Sequence, residues 1–182
     1  MGMMILACAG DVTVTRNTVT VDESRAFVNI QENPRYAGYA NFNILDNEIT
    51  DSPDMTGLVY LKNFDVYHSL LSVTVENNMI RDCGIAPLMD YLDAGPDTDA
   101  YDYDARIVVR DNPVVNATEE VIRAHGDIQV QNNTFTNCSG YVIDLQYLNE
   151  HIPVISDNTF TDCEHLIYIG AKVQCLGGLA VT

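Results

Sequence analysis

One short motif returns along the chain and limits what the chain can fold into. Asp127 to Cys138 reads DIQVQNNTFTNC, and Pro153 to Cys163 reads PVISDNTFTDC. Set on Asn133 and Asn158, both segments carry Asn-Thr-Phe-Thr-x-Cys. Earlier echoes are Val12 to Thr20, VTVTRNTVT, and Val73 to Cys83, VTVENNMIRDC. Self-similarity of this kind marks a repeat architecture, in which each unit buries its apolar face only against its neighbours. Six anchors define the units: Asn17, Asn47, Asn78, Asn112, Asn133 and Asn158, spaced by 30, 31, 34, 21 and 25 residues.

The residue types around each anchor are constant. Three residues before it stand Val14, Ile44, Val75, Val109, Val130 and Ile155; five before stand Val12, Phe42, Val73, Ile107, Ile128 and Pro153. Two after it stand Val19, Ile49, Ile80, Val114, Phe135 and Phe160. Alternation of period two means strands with one buried face, and the anchor falls where the alternation turns a corner. Five after the anchor come Asp22, Ser52, Cys83, Ala117, Cys138 and Cys163, mostly small residues that suit a second corner. A third strand is expected in each unit, over Ala26 to Ile30, Leu58 to Leu61, Leu88 to Leu92, Val121 to Ala124, Tyr141 to Leu145 and Leu166 to Ile169. Thr118-Glu119-Glu120 has the form of a helix start, but the 21-residue interval leaves no room for a helix.

These units predict an all-β parallel β-helix of about six coils. Each coil pairs with the coils above and below, so equivalent residues stack about 4.8 Å apart. An inward Asn at a corner tolerates left-handed backbone and can hydrogen-bond the next Asn, and the stack supplies the partners a buried amide requires. On these residues the chain resembles right-handed parallel β-helix proteins of the pectin-lyase-like superfamily, which carry such Asn ladders. The resemblance covers roughly residues 10 to 170. It is closest to the repeats of surface and adhesin-type proteins, such as polymorphic outer-membrane and autotransporter-like passengers. Their Phe-x-x-Asn and Gly-Gly-Ala motifs are not present; Gly177-Gly178-Leu179 is a partial echo.

Composition narrows the partners. The 182 residues form one β-helix domain, with 47% hydrophobic residues, which excludes a disordered chain. The formal charge is −17, from 26 acidic and 9 basic residues. So acidic a chain repels phosphate backbones, which argues against nucleic acid and for cations, sugars or basic protein surfaces. No apolar run approaches the roughly 20 residues of a membrane span. Ile5-Leu6-Ala7-Cys8 has the look of a lipobox, but the stretch before it is short and lacks basic residues. Ala9-Gly10-Asp11-Val12 matches His125-Gly126-Asp127-Ile128, so Met1 to Ala9 reads as the tail of an earlier unit. The domain is therefore expected to be a segment of a longer solenoid.

The extra length of the long intervals gathers after the third strand: Gln31 to Ala40, Asn63 to Leu70 and Asp93 to Asp104, with Tyr147 to His151 as a short version. Insertions in a solenoid map to one flank, often the working one. This flank carries Tyr36, Tyr39, Tyr67, Tyr101, Tyr103 and Tyr147, of which the first five are candidate glycan contacts. Asp90 to Asp104 holds six Asp in fifteen residues. It is read as a solvated, turn-rich loop, with a Ca²⁺ site built from Asp93, Asp97, Asp99, Asp102 and Asp104 as the alternative; the spacing is not that of an EF-hand. Cys83, Cys138 and Cys163 share one repeat position. They are small inward residues filling a corner, or, for the neighbouring Cys138 and Cys163, a disulfide in an oxidising compartment. Metal binding by them lacks the usual Cys-x-x-Cys spacing. His68, His125, His151 and His165 are scattered. Asn116 and Asn137 head accessible glycosylation sequons.

Function follows only as a class. The leading expectation is a non-enzymatic structural or adhesive module, extracellular or at the cell surface. Open strand edges at the ends of a coil stack invite further coils or copies of the chain. The alternative is a carbohydrate-binding or polysaccharide-degrading β-helix that uses the Tyr- and Asp-rich flank.

Overall fold

The computed structural model describes residues 3–6, 10–20, 26–31, 40–54, 57–62, 71–84, 87–90, 105–124, 127–145, 153–170 and 180–181. Among them are twenty strands and no helix. Numbered in chain order, they form three sheets. Sheet A holds β1 (Met3–Leu6), β4 (Ala26–Gln31), β7 (Gly57–Lys62), β10 (Met89–Asp90), β13 (Ile122–Ala124), β16 (Tyr141–Leu145) and β19 (His165–Ile169). Sheet B holds β2 (Gly10–Thr15), β5 (Ala40–Leu45), β8 (Leu71–Glu76), β11 (Ala105–Arg110), β14 (Asp127–Gln131), β17 (Val154–Ser156) and β20 (Ala180–Val181). Sheet C holds β3 (Thr18–Val19), β6 (Glu48–Ser52), β9 (Met79–Cys83), β12 (Pro113–Val115), β15 (Thr134–Thr136) and β18 (Thr159–Thr161).

Neighbours within a sheet are never neighbours in sequence, and each pairing is parallel. The chain visits sheet B, then C, then A, and climbs one level per circuit. That is a parallel β-helix, as the alternation and spacing predict. The segment before the first anchor occupies a coil position too, since β1 lies in sheet A beside β4. Ile122–Ala124 is a strand despite the helix-like start before it. Of the third strand of the third unit, the described residues show Met89–Asp90; Tyr91 and Leu92 lie outside the described residues.

Alternation and stacking together make the core. Phe42, Val73, Ile107 and Ile128 form one fully buried column; Ile44, Val75, Val109 and Val130 form the next. Ile49, Ile80, Val114 and Phe135 make the sheet C column, and Phe135 stacks on Phe160 at 5.3 Å. Full burial of such a side chain contributes roughly 1.5–3 kcal/mol, so the columns supply most of the driving force. Where sheet A begins, consecutive residues both join the core: Leu58 with Val59, Leu88 with Met89, Val121 with Ile122, Val142 with Ile143. Strict alternation breaks there, as it must where a chain turns.

The first two corners are built alike. Each places one residue in left-handed backbone and puts an inward side chain straight after it. At the first corner the left-handed residues are Arg16, Asp46, Asn77, Asp111, Asn132 and Asp157, with φ between 55° and 57°. At the second they are Asp51, Asp82, Asn116, Asn137 and Asp162, with φ between 51° and 59°. The expectation that the anchor Asn itself would take the left-handed conformation is thus corrected. The anchor turns its amide inward, and the residue before it makes the turn. Asp and Asn dominate because their short polar side chains lower the cost of that conformation.

The extra length lies where the sequence places it. Each long connection joins a sheet A strand to the following sheet B strand, from Gln31 to Ala40, Lys62 to Leu71 and Asp90 to Ala105. The corresponding step from Ala124 to Asp127 needs two residues.

Candidate functional site

The six anchors form one column. Asn47, Asn78, Asn112 and Asn133 are buried. The amide nitrogens of Asn17, Asn47, Asn78, Asn112 and Asn133 donate to the Oδ1 of the next Asn in turn, at 2.8, 2.9, 3.1, 2.9 and 3.0 Å. The same Oδ1 accepts the backbone N–H of the Asn below it, for example Asn78 N to Asn112 Oδ1 at 2.8 Å. Each amide also donates to carbonyls. Asn112 Nδ2 reaches Arg110 O at 2.8 Å and Val75 O, one coil below, at 3.0 Å. These bonds satisfy buried polar groups that would otherwise cost about 1–3 kcal/mol each. The column is a device of the fold, not of chemistry.

The second corner repeats the plan with weaker groups. Ser52 Oγ donates to Thr50 O at 3.0 Å, and Cys83 Sγ donates to Arg81 O at 3.2 Å. Cys163 Sγ contacts Thr161 O at 3.4 Å and Phe135 O, one coil below, at 3.6 Å. In each case the acceptor lies two residues back, as it does for the Asn amides. The structure therefore brings Cys83, Cys138 and Cys163 into the predicted column, with Ser52 below and Ala117 between. All three cysteines are free thiols. Burial pushes the Cys83 and Cys138 thiols up to about 11.

Outside this corner runs a row of surface carboxylates and amides. Asn116 Nδ2 donates to Asp82 Oδ1 at 2.6 Å, and Asn137 Nδ2 donates to Asn116 Oδ1 at 2.8 Å. Both sequon nitrogens are thus donors in one hydrogen-bonded row; Asn137 is exposed and Asn116 half-buried. At the first corner, Asn77 Nδ2 donates to Asp46 Oδ1 at 2.6 Å. Beside it Arg110 pairs with Glu76 of the coil below at 2.8 Å, neutralising one acidic charge.

A further column was not legible in the sequence. The register of sheet A aligns Asn29, Tyr60, Asp90, Arg123, Asp144 and Tyr168. Val28, Val59, Met89, Ile122, Ile143 and Leu145 beside them face the core, so this set belongs to the opposite face of the sheet. Arg123 stands one strand from a carboxylic acid on each side. Asp144 is only 6% exposed although it lies off the core face. Above it Tyr168 packs on Tyr141 with ring centroids 5.1 Å apart, and Tyr141 meets His165 at 4.8 Å. The row adjoins the strand ends from which the long connections leave.

The remaining candidates lie outside the described residues: Tyr36, Tyr39, Tyr67, Tyr101 and Tyr103, and the proposed Ca²⁺ set Asp93, Asp97, Asp99, Asp102 and Asp104. Among the described residues no group of His, Cys, Asp and Glu is arranged to hold a metal ion, and no helix is long and apolar enough to cross a membrane.

Three parallel sheets and an Asn column define a β-helix protein. The family described as "Right handed beta helix region" matches residues 5–177, so the chain belongs to the right-handed β-helix family. No curated protein and no solved structure matches it.

Proposed function

We propose that the chain is a structural module of an extracellular or cell-surface β-helix, with an adhesive or scaffolding role, whose last coil is covered by a further coil of a longer solenoid. One observation carries this reading. Val142 and Leu145 of β16 are fully buried, whereas their register partners Leu166 and Ile169 in β19 are 45% and 40% exposed. Tyr168 beside them is 41% exposed. The apolar pattern of a covered coil is thus repeated on an uncovered one, and large exposed apolar residues in a row signal an interface. The charge of −17 keeps the sides of such modules apart and favours contact at the ends.

The occupant we propose is a further coil of the same chain, with a second copy of the chain as the other outcome. The register itself supplies the test. Val181 pairs with Ile155, so a second copy of residues 157–170 fused after Thr182 continues the coil in phase. The fusion should raise Tm by several degrees and reduce binding of an apolar dye. An unchanged Tm and unchanged dye binding would sink the proposal. Labelling of intact source cells by an antibody to the chain tests the surface location.

A second reading rests on the row Tyr60, Asp90, Arg123, Asp144 and Tyr168. In it the same face of sheet A binds carbohydrate. Retention on a glycan array that is lost in Arg123→Gln favours it, and equal retention by the variant removes it. A third reading has Ca²⁺ held by the acidic loop rigidify the coil. A chelator that leaves Tm unchanged argues against that ion.

A further inference from the structure

We infer that Cys138 and Cys163 form a reversible disulfide that fastens the coil of Asn158 to the coil of Asn133 beneath it. The two cysteines hold the same place in successive coils. Sheet C pairs Thr134, Phe135 and Thr136 with Thr159, Phe160 and Thr161. The register carries through the corner, because Asn137 N donates to Thr161 O at 2.9 Å and Glu164 N donates to Cys138 O at 3.0 Å. The pair is therefore one strand spacing apart, about 4.8 Å, inside the window of about 4.4–6.8 Å between Cα atoms that a disulfide spans.

No other pair in this column can do the same. Cys83 is separated from Cys138 by Ala117, and Ser52 lies below it. The one adjacent cysteine pair thus falls at the coil whose apolar residues are uncovered.

Accessibility orders the steps. Cys138 is 1% exposed and Cys163 is half-exposed. The Cys163 thiolate attacks one sulfur of a low-molecular-weight disulfide, such as oxidised glutathione, and releases one small thiol. Cys138 then gives its proton to solvent and attacks the Cys163 sulfur, which releases the second small thiol. Two protein thiols are oxidised and one external disulfide is reduced. Burial holds the Cys138 thiol up at about 11, so the second step is the slower and accelerates with pH.

The test uses the full chain treated with oxidised glutathione and mapped by peptide mass spectrometry without reduction. The expected product is the Cys138–Cys163 linked peptide, with Tm raised by several degrees and restored by a reductant. The double variant Cys8→Ser/Cys175→Ser keeps the product. Cys163→Ser loses both the product and the Tm rise; serine is accepted at this place, as Ser52 shows. A glutathione adduct that persists on Cys163, linkage of either cysteine to Cys8 or Cys175, or a link that leaves Tm unmoved would each overturn the inference.

Discussion

The first and second corners share a backbone and differ in what fills it. Both set one residue left-handed, and both aim the next side chain at the carbonyl two residues back. The first corner uses Asn in each coil and joins its members side chain to side chain. The second accepts Ser, Cys or Ala and binds mainly backbone. The difference teaches that the turn alone does not demand asparagine. What demands it is the line of buried N–H and C=O groups beside the first corner, which an amide answers at once with two N–H donors and a separate carbonyl acceptor. A thiol or hydroxyl answers in part, and alanine answers by volume alone.

The largest expected effect breaks that contrast directly. Asn112→Ala removes a side chain that accepts two hydrogen bonds and donates three. It should cost about 4 kcal/mol of unfolding free energy, read from the urea midpoint, whereas Cys138→Ala at the second corner should cost about 1 kcal/mol. Equal losses would show that the two corners do the same work. Next comes the backbone just past the second corner. A Cβ on Gly140 would run into the backbone of Glu119 in the coil below. Gly140→Ala should therefore cost about 2–3 kcal/mol, although the side chain two residues earlier tolerates exchange. Smaller still is the left-handed position itself. Asp82→Val should cost about 1–2 kcal/mol while Asp82→Asn stays near zero, and a tolerant response to valine would mean that the turn relaxes.

The last effect is one of pH. Burial raises the Cys83 thiol from 9.0 to about 11 in the folded chain. Above pH 9 the unfolded chain gives up this proton while the folded chain keeps it, so rising pH favours unfolding. The contribution is complete below pH 9 and fades as pH approaches 11. Stability of Cys83→Ser should fall less steeply than that of the natural chain over this interval. Parallel curves would show that burial of the Cys83 thiol does not set the alkaline loss.

What the sequence revealed follows from these physics. The anchors were legible because burial leaves asparagine no substitute, and the apolar columns because strand alternation is strict up to the first corner. The left-handed residues were not, since Arg16, Asp46 and Asn77 share a conformation rather than a side chain. The sheet A row of Tyr60, Asp90, Arg123, Asp144 and Tyr168 was hidden for another reason. Alternation breaks where sheet A begins, as at Val121 and Ile122, and the connections that follow differ in length. The register of those strands is therefore set by pairing across coils, not by anything local.

The asparagine column also has a sense of direction. In each of its five steps the lower residue gives a proton and the upper residue supplies the oxygen. The amide dipoles consequently point the same way along the axis and add. Growth of the column beyond Asn158 calls for an oxygen, and growth before Asn17 calls for an N–H. The two ends are electrically distinct, and a neighbour that suits one is the wrong neighbour for the other.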